Sequence, residues 1–135
     1  NYMIPRRFTE WALLLGAKLI IHICSNSARY GKPGAEDYSA MKAALWKYCE
    51  IRGKLAAKEH GARICCINLG GVVNSFWSYV KSNDFDSQLA EEQKMIPEEG
   101  KGLTNEEVAE LVVMLCRLPD NIAVKDLLVT GMAYQ

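Results

Sequence analysis

The feature that most constrains the fold is a pair of short apolar runs on either side of a long segment of helix formers. KLIIHIC at residues 18–24 is a β-branched, nearly continuous apolar run, and RICCINL at residues 63–69 is a second run with the pattern of a buried strand. This pattern predicts strands that are buried on both faces of a parallel sheet. Residues 37–60 between them are mainly strong helix formers, and Gly61 follows as a typical C-terminal cap. A strand, a helix and a strand in this order form a right-handed parallel unit, which predicts an α/β fold.

The rest of the chain adds two helices, a loop and one more strand to this unit. Thr104 and Glu107 form a capping box, with Leu103 and Val108 in the positions of a hydrophobic staple, so a helix is predicted to begin there. Pro119 ends that helix. In chain order, the additional elements are a helix at about residues 6–15, a loop at 25–36, a helix at about 105–117 and a strand at 126–130.

Length and charge limit the kinds of protein that this chain can be. Its 135 residues suit one domain, and 16 Lys and Arg against 16 Asp and Glu leave no net charge to attract nucleic acid or anionic lipid. The most apolar stretch, residues 11–24, contains Lys18 and His22 and is too short to span a bilayer. No secretory signal is visible. We therefore expect a cytoplasmic protein without nucleic-acid or membrane partners. Because the sequence opens on what reads as the tail of a helix, we also expect further residues upstream.

The cysteines lie inside apolar segments and never at CxxC spacing, which suits buried, reduced thiols; they are Cys24, Cys49, Cys65, Cys66 and Cys116. Cys65 and Cys66 are the only close pair, but adjacent residues of a strand point to opposite faces and are poorly placed to share a metal ion. The sequence therefore predicts no metal site. His22, inside the first strand, is interpreted as a core or sheet-face residue.

Three polar residues are candidates for a catalytic site. Tyr38 and Lys42 are four residues apart at the start of the long helix, so their side chains lie on one face. This spacing alone is weak evidence, and the context strengthens it. Ser25 ends the first strand thirteen residues before Tyr38, and the second strand runs into a loop at Asn68-Leu69-Gly70. Ser27 is a competing hydroxyl two residues after Ser25.

At these residues the sequence resembles the short-chain dehydrogenase/reductase family. The stretch IIHICSNSARYGKPGAEDYSAMKAAL is similar to the family's strand, catalytic serine, loop and Tyr-x-x-x-Lys helix. INLGGVVN is similar to its Asn-Pro-Gly-x-Val-x-Thr loop. The resemblance covers nearly the whole chain. It implies a doubly wound, Rossmann-like parallel sheet of which residues 1–135 are the C-terminal catalytic half, with the N-terminal dinucleotide-binding half absent from this chain.

The resemblance implies an oxidoreductase that uses NAD or NADP on a small-molecule carbonyl or alcohol. A carbonyl that accepts a hydride develops negative charge on its oxygen and needs a proton donor within hydrogen-bond reach. By resemblance, Tyr38 is this acid and base, and Ser25 orients and polarises the substrate carbonyl. Lys42 stabilises the phenolate and also binds the nicotinamide ribose. The strand that discriminates NAD from NADP is absent, so both cofactors stay open.

The loop after the second strand supplies further cofactor contacts, besides the tyrosine and the lysine, by the same resemblance. Gly70 lets the backbone approach a ligand closely, the backbone of Val72 meets the nicotinamide amide, and Asn74 offers a polar side chain. Two positions depart from the family pattern, since Leu69 stands where the family has Pro and Asn74 where it has Thr. Nothing in this sequence corresponds to the family's glycine-rich phosphate turn.

Residues 74–102 are long for a connection and carry aromatic residues among acids and amides. We interpret them as short helices in a mobile lid over the substrate, with Phe76, Trp77 and Tyr79 as its apolar wall. The alternative is that these three aromatic side chains only pack the segment onto the domain.

A second class of function is also compatible with the sequence. In the family that it resembles, the long helix and the helix before it pair with those of a second subunit, which implies a homodimer or homotetramer. This half could therefore serve as a non-catalytic dimerisation or interaction module. The intact Ser25, Tyr38 and Lys42 favour the enzyme.

Overall fold

The computed structural model describes residues 2–31, 33–73 and 101–132, which form a parallel sheet with helices on both faces. In chain order the elements of these residues are helix α1 (Met3–Leu14), strand β1 (Leu19–Ser25), a short 3-10 turn (Asn26–Ala28), helix α2 (Glu36–His60), strand β2 (Arg63–Leu69), helix α3 (Asn105–Arg117) and strand β3 (Asp126–Val129). The helices and strands predicted within these residues are all present. Their boundaries agree to within one residue, except that α1 begins three residues earlier than predicted. The short helices predicted at residues 74–102 fall almost wholly outside the described residues.

The three strands are parallel and follow the order β1-β2-β3, so β2 is central. The register pairs Ser25 of β1 with Leu69 of β2, and Leu69 with Val129 of β3. The carboxyl ends of all three strands therefore meet at one edge of the sheet. In open α/β sheets this is the edge at which ligands bind.

Two apolar clusters cover the two faces of the sheet. On one face α1 and α2 pack over Ile20 and Cys66, and on the other face α3 packs over Cys65 and Ile67. Cys65 and Cys66 thus point to opposite faces, as strand geometry predicts. Residues 64–69 of β2 are all buried, because both clusters use this strand. This explains why its sequence is continuously apolar instead of alternating.

The ends of α2 and α3 follow from their sequences. Gly61 ends α2 in the left-handed region, with a φ of 58°, and the ammonium of Lys18 donates to the carbonyl of His60 at 2.7 Å. At the start of α3 the amide of Glu107 donates to the hydroxyl oxygen of Thr104 at 3.2 Å, and the amide of Thr104 donates to the Glu107 carboxylate at 2.8 Å. The predicted capping box is confirmed.

One cysteine differs from the prediction. Cys24, Cys49, Cys65 and Cys66 are buried free thiols, but Cys116 is exposed. Cys116 directly follows the buried Leu115 on α3, and a helix turns by about 100° per residue, so its side chain points away from the core. Among the described residues, no three His, Cys, Asp or Glu side chains are grouped closely enough to hold a metal ion. None of the helices in these ranges is long and apolar enough to cross a membrane.

Candidate active site at the carboxyl edge of the sheet

Ser25 is the last residue of β1 and lies at the carboxyl edge of the sheet. Its side-chain oxygen accepts a hydrogen bond from the amide of Ser27 at 3.1 Å, which caps the 3-10 turn. A serine hydroxyl can accept and donate at the same time, so this bond leaves the hydroxyl proton of Ser25 for a second partner. Ser25 and Ser27 are equally buried, at 8% and 7% exposed. Position at the strand end, and not burial, therefore distinguishes Ser25.

Tyr38 and Lys42 lie on the first two turns of α2 and on the same face, as their spacing predicts. The ammonium nitrogen of Lys42 is 5.7 Å from the centre of the Tyr38 ring, within the usual cation–π range. Tyr38 is 38% exposed, so a ligand can reach its side chain. The pair can present a phenol and an ammonium to one bound molecule.

Lys42 is also bound to the end of β1 by two hydrogen bonds. Its ammonium donates to the carbonyl oxygen of Ile23 at 3.3 Å, and its own backbone carbonyl accepts from the thiol of Cys24 at 3.3 Å. Cys24 directly precedes Ser25. These bonds hold the first turns of α2, which carry Tyr38 and Lys42, against the strand end that carries Ser25.

Two titratable groups are buried behind this site. The pKa of the Cys24 thiol is raised, chiefly by the neighbouring thiol of Cys66 and further by burial, so Cys24 keeps the proton that it donates to the Lys42 carbonyl. His22 is 7% exposed, and its Nε2 lies 2.7 Å from the hydroxyl oxygen of Thr9. Burial, and secondly the charge of Lys42, lowers the pKa of His22. The prediction that His22 is a core residue is confirmed.

The loop after β2 packs closely against the end of β3. The amide of Gly70 donates to the carbonyl of Val129 at 2.7 Å. A side chain at Gly70 would place its Cβ 2.6 Å from the hydroxyl oxygen of Thr130, which is closer than real Cβ contacts. Packing between these two strand ends therefore requires a glycine at position 70, a role that was not predicted from the sequence.

A short parallel bridge follows this glycine. Val72 pairs with Leu103, the amide of Val73 donates to the carbonyl of Leu103 at 2.8 Å, and the amide of Leu103 donates to the carbonyl of Gly71 at 2.9 Å. The described residues on either side of 74–100 therefore meet beside the candidate site. The remaining predicted site residues lie outside the described residues; they are Asn74, Phe76, Trp77 and Tyr79.

An apolar groove runs along the edge of β1 that no described strand covers. It has a volume of about 440 Å³ and is lined by side chains of α1, β1 and α2. Phe8 of α1 is 53% exposed and Ile23 of β1 is 46% exposed. Lys42 also lines the groove, so the groove reaches this residue of the candidate site.

Arg29 and Asp126 adjoin the site as well, and neither was predicted from the sequence. Arg29 directly follows the 3-10 turn and forms an ion pair with Asp126 at the start of β3. The two residues are 97 positions apart, and no local spacing predicts such a pair. The one sequence feature that could have pointed to this pair is Asp126, a charged residue at the start of an otherwise apolar strand.

Comparison with known proteins identifies the fold. No protein-family model and no curated protein matches this sequence. Serine dehydrogenase complexed with NADP+ matches the structure with a TM-score of 0.71 and 20% identity, over 93% of this chain and 49% of that chain. Actinorhodin polyketide ketoreductase with NADPH matches with a TM-score of 0.68 and 21% identity, over 90% of this chain and 49% of that chain.

A short chain dehydrogenase from Bacillus anthracis is also similar, with a TM-score of 0.65 and 17% identity over 96% of this chain and 48% of that chain. At such identities the likeness establishes the fold. This chain has the Rossmann-like fold of these dehydrogenases, with a doubly wound parallel sheet. It spans about half the length of the chains that it matches.

Proposed function

We propose that this chain is the catalytic half of a short-chain dehydrogenase/reductase, an NAD- or NADP-dependent oxidoreductase that interconverts a carbonyl and an alcohol. The observation that carries the proposal is the position of Lys42. Its ammonium is 5.7 Å from the ring centre of Tyr38, and Cys24 ties its backbone to the strand that ends in Ser25. The fold shared with dehydrogenases that bind NADP+ or NADPH supports the same proposal.

The roles of the three side chains follow from their chemistry. The nicotinamide, when bound, supplies or accepts the hydride. Tyr38 gives a proton to the substrate oxygen during reduction and takes it back during oxidation. The ammonium of Lys42 stabilises the phenolate that Tyr38 becomes. Ser25 donates its hydroxyl proton in a hydrogen bond to the same substrate oxygen, since the amide of Ser27 occupies only an acceptor site of that hydroxyl.

The described residues fit the nicotinamide end of a dinucleotide better than its phosphate end. Lys42 and Tyr38 offer donors to the ribose, and we propose Gly70, Val72 and Asn74 as further contacts to the nicotinamide. A pyrophosphate usually rests on a helix N-terminus. The first turns of α2 and α3 each carry two acidic residues, which would repel phosphate. The first turn of α1 carries no acidic residue, but the sequence has no counterpart of the glycine-rich phosphate turn, so we assign the phosphates and the adenosine to another part of the protein.

We propose that this other part, the dinucleotide-binding half of the domain, packs along the edge of β1. Ile4, Phe8 and Ile23 are 78%, 53% and 46% exposed there, although all three side chains are apolar. A further strand beside β1 would cover them and close the groove of about 440 Å³ that Lys42 lines. The matched dehydrogenases are about twice as long as this chain, which supports the same arrangement.

We also propose residues 74–102 as the substrate lid, with Phe76, Trp77 and Tyr79 as its apolar wall. The support comes from the residues at its base. Val73 and Leu103 are hydrogen-bonded to each other next to the carboxyl edge of the sheet. A segment anchored there starts and returns close to the strand ends where the substrate would lie.

A dimerisation module is the alternative function, and exposed apolar side chains favour self-association. Trp11 and Leu14 of α1 are 58% and 81% exposed, and Ile51 of α2 is 55% exposed. We propose a homodimer or homotetramer formed through these two helices in either case. A module of this kind needs no cofactor. Binding of NADH or NADPH by the full-length protein would therefore favour the enzyme, and the absence of binding would favour the module.

A pair of serine variants tests the proposed enzyme. In the full-length protein, Ser25→Ala should lower ketone-dependent oxidation of NADPH or NADH about 100-fold, because it removes a donor to the developing oxyanion. Ser27→Ala is the matched control, since Ser27 is equally buried and contributes its backbone amide, which alanine keeps. Equal losses in the two variants would contradict the assignment of Ser25. A wild-type protein that oxidises neither cofactor with any ketone of a test panel would contradict the proposal as a whole.

A further inference from the structure

Arg29 is held on two sides by side chains of other elements. Its guanidinium carbon lies 4.8 Å from the centre of the Trp46 ring, and its guanidinium forms an ion pair with the carboxylate of Asp126. The other oxygen of that carboxylate accepts a hydrogen bond from the side-chain amide of Asn68 at 2.5 Å. Asn68 is fully buried. The buried Asn68 therefore holds the carboxylate in place, and the carboxylate in turn holds the guanidinium.

These partners connect Arg29 to each element of the candidate site. Trp46 lies one helical turn after Lys42 on α2, and Asn68 lies two residues before Gly70 at the end of β2. Asp126 begins β3. Arg29 itself directly follows the 3-10 turn that Ser25 caps.

The turn has few bonds of its own. The amides of Arg29 and Tyr30 both donate to the carbonyl of Asn26 at 2.9 Å, and the amide of Ser27 donates to the Ser25 hydroxyl oxygen at 3.1 Å. A single 3-10 turn with this bonding is a weak element, and the chain beyond it continues as a loop. Ala28 of the turn is buried in the core, and an anchor on Arg29, the residue after the turn, adds a polar constraint to that packing.

The chemistry of Arg29 suits this task. A planar guanidinium can stack on an aromatic ring and bind a carboxylate at the same time, which a lysine ammonium does less well. The side chains of Arg29 and Asp126 are 30% and 24% exposed. Their attraction is therefore screened less by salt than that of a fully exposed surface pair.

We propose that Arg29 is a positioning residue that holds the Ser25 turn against α2 and so fixes the Ser25 hydroxyl relative to Tyr38 and Lys42. The catalytic consequence of this inference rests on the function proposed above. The immobilisation of the turn by Arg29 does not depend on that function. Arg29 acts through Ser25 and needs no contact with the substrate.

The test compares arginine variants in the full-length protein. Arg29→Met removes the charge and keeps the length of the side chain, and Arg29→Lys restores a charge without the planar fork. Arg63→Met is the matched control, since Arg63 also forms an ion pair, with Asp120 at 3.2 Å, but joins β2 to the loop after α3 through the carbonyls of Leu118, Pro119 and Ile122. Readouts are kcat and KM with NADPH and the best ketone of a test panel, together with hydrogen exchange of the Ser27 amide.

We expect Arg29→Met to lower kcat about 10- to 100-fold, because a displaced catalytic group costs rate even when it is still present. KM should change less than about threefold, and Arg29→Lys should recover part of the loss. Exchange of the Ser27 amide should accelerate at least about tenfold in Arg29→Met and stay unchanged in Arg63→Met. The control should lower the melting temperature but keep kcat.

Two results would overturn the inference. One is a kcat in Arg29→Met equal to that in Arg63→Met, which would give Arg29 a purely structural role. The other is an unchanged Ser27 exchange rate in Arg29→Met, which would show that the turn does not depend on Arg29. If the wild-type protein turns over no ketone, the proposed function fails, and the Ser27 exchange rate still decides whether Arg29 holds the turn.

Discussion

The side-chain ammonium of Lys42 donates a hydrogen bond to the carbonyl oxygen of Ile23 at 3.3 Å. Together with the bond from the Cys24 thiol to the Lys42 carbonyl, it joins the second turn of α2 to the last residues of β1. Tyr38 lies one turn before Lys42, and Ser25 directly follows Cys24. The long loop between Ser25 and Tyr38 is therefore closed at its base, and its two ends carry the candidate catalytic groups.

Gly70→Ala should destabilise the fold by about 1–3 kcal/mol, the usual cost of forcing an extra group into a packed site. The added Cβ would lie 2.6 Å from the hydroxyl oxygen and 2.9 Å from the Cβ of Thr130. Urea denaturation measures the effect. Gly31→Ala is the control, since nothing lies within 4 Å of a Cβ at that position. A Gly70→Ala protein as stable as the Gly31→Ala protein would contradict the packing role. Thr130→Gly, added to the Gly70→Ala protein, should restore part of the lost stability.

One thiol of the 135-residue chain should react far faster than the other four. Cys116 is exposed, whereas the other thiols are buried, and burial raises the pKa of Cys65 to about 11. Reaction requires an accessible thiolate, so a disulfide reagent should modify one equivalent rapidly under native conditions. Cys116→Ser should abolish this fast phase, and Cys65→Ala should keep it. A fast phase that survives Cys116→Ser would show that the core opens more readily than its burial indicates.

His22 should make the fold sensitive to mild acid. Its pKa is lowered below 6.5 in the folded chain by burial, so the unfolded chain binds more protons below that pH. The free energy of unfolding should therefore fall as the pH drops from 7.5 to 5.5, by at most about 1.4 kcal/mol per pH unit below 6.5. His22→Gln should flatten this dependence. His60→Gln, which removes the other histidine, should leave the pH dependence of the unfolding free energy in place. A pH dependence that is lost in His60→Gln and kept in His22→Gln would contradict the assignment to His22.

The 135-residue chain by itself should bind NADH and NADPH only weakly. The proposed contacts serve the nicotinamide and its ribose alone, so we expect a Kd of about 1 mM or weaker, corresponding to roughly 4 kcal/mol or less. Titration followed by tryptophan fluorescence measures the affinity, and native mass spectrometry measures self-association through α1 and α2. Micromolar binding would mean that these residues include a phosphate site that the acidic first turns of α2 and α3 do not suggest.

Local patterns were sufficient to predict most of the fold. The apolar runs predicted β1 and β2 because strands buried on both faces need continuous apolar side chains. Thr104 and Glu107 predicted the start of α3 because a capping box involves residues only three apart. Tyr38 and Lys42 were predicted to share a face for the same reason, since helix geometry fixes neighbours at that spacing.

The parts that were not predicted depend on contacts between distant segments. Arg29 and Asp126 meet only because β3 lies beside β2, and neither local sequence indicates the other. The close approach of Gly70 to a ligand stays a prediction, and the tight packing of this position against Thr130 was not predicted. The exposure of Cys116 depends on which side of α3 packs on the sheet, and an apolar helix sequence leaves that choice to the tertiary fold.

The most direct test of the proposed enzyme is the turnover of the full-length protein with Tyr38→Phe. This substitution removes the proton donor and keeps the ring beside Lys42. We predict a kcat lower by about 100-fold or more, with an NADPH or NADH dissociation constant within about threefold of wild type. Tyr30→Phe is the matched control, since Tyr30 is 61% exposed in the loop before α2 and has no proposed role, and it should leave both quantities unchanged. Near-normal turnover by Tyr38→Phe would contradict the account.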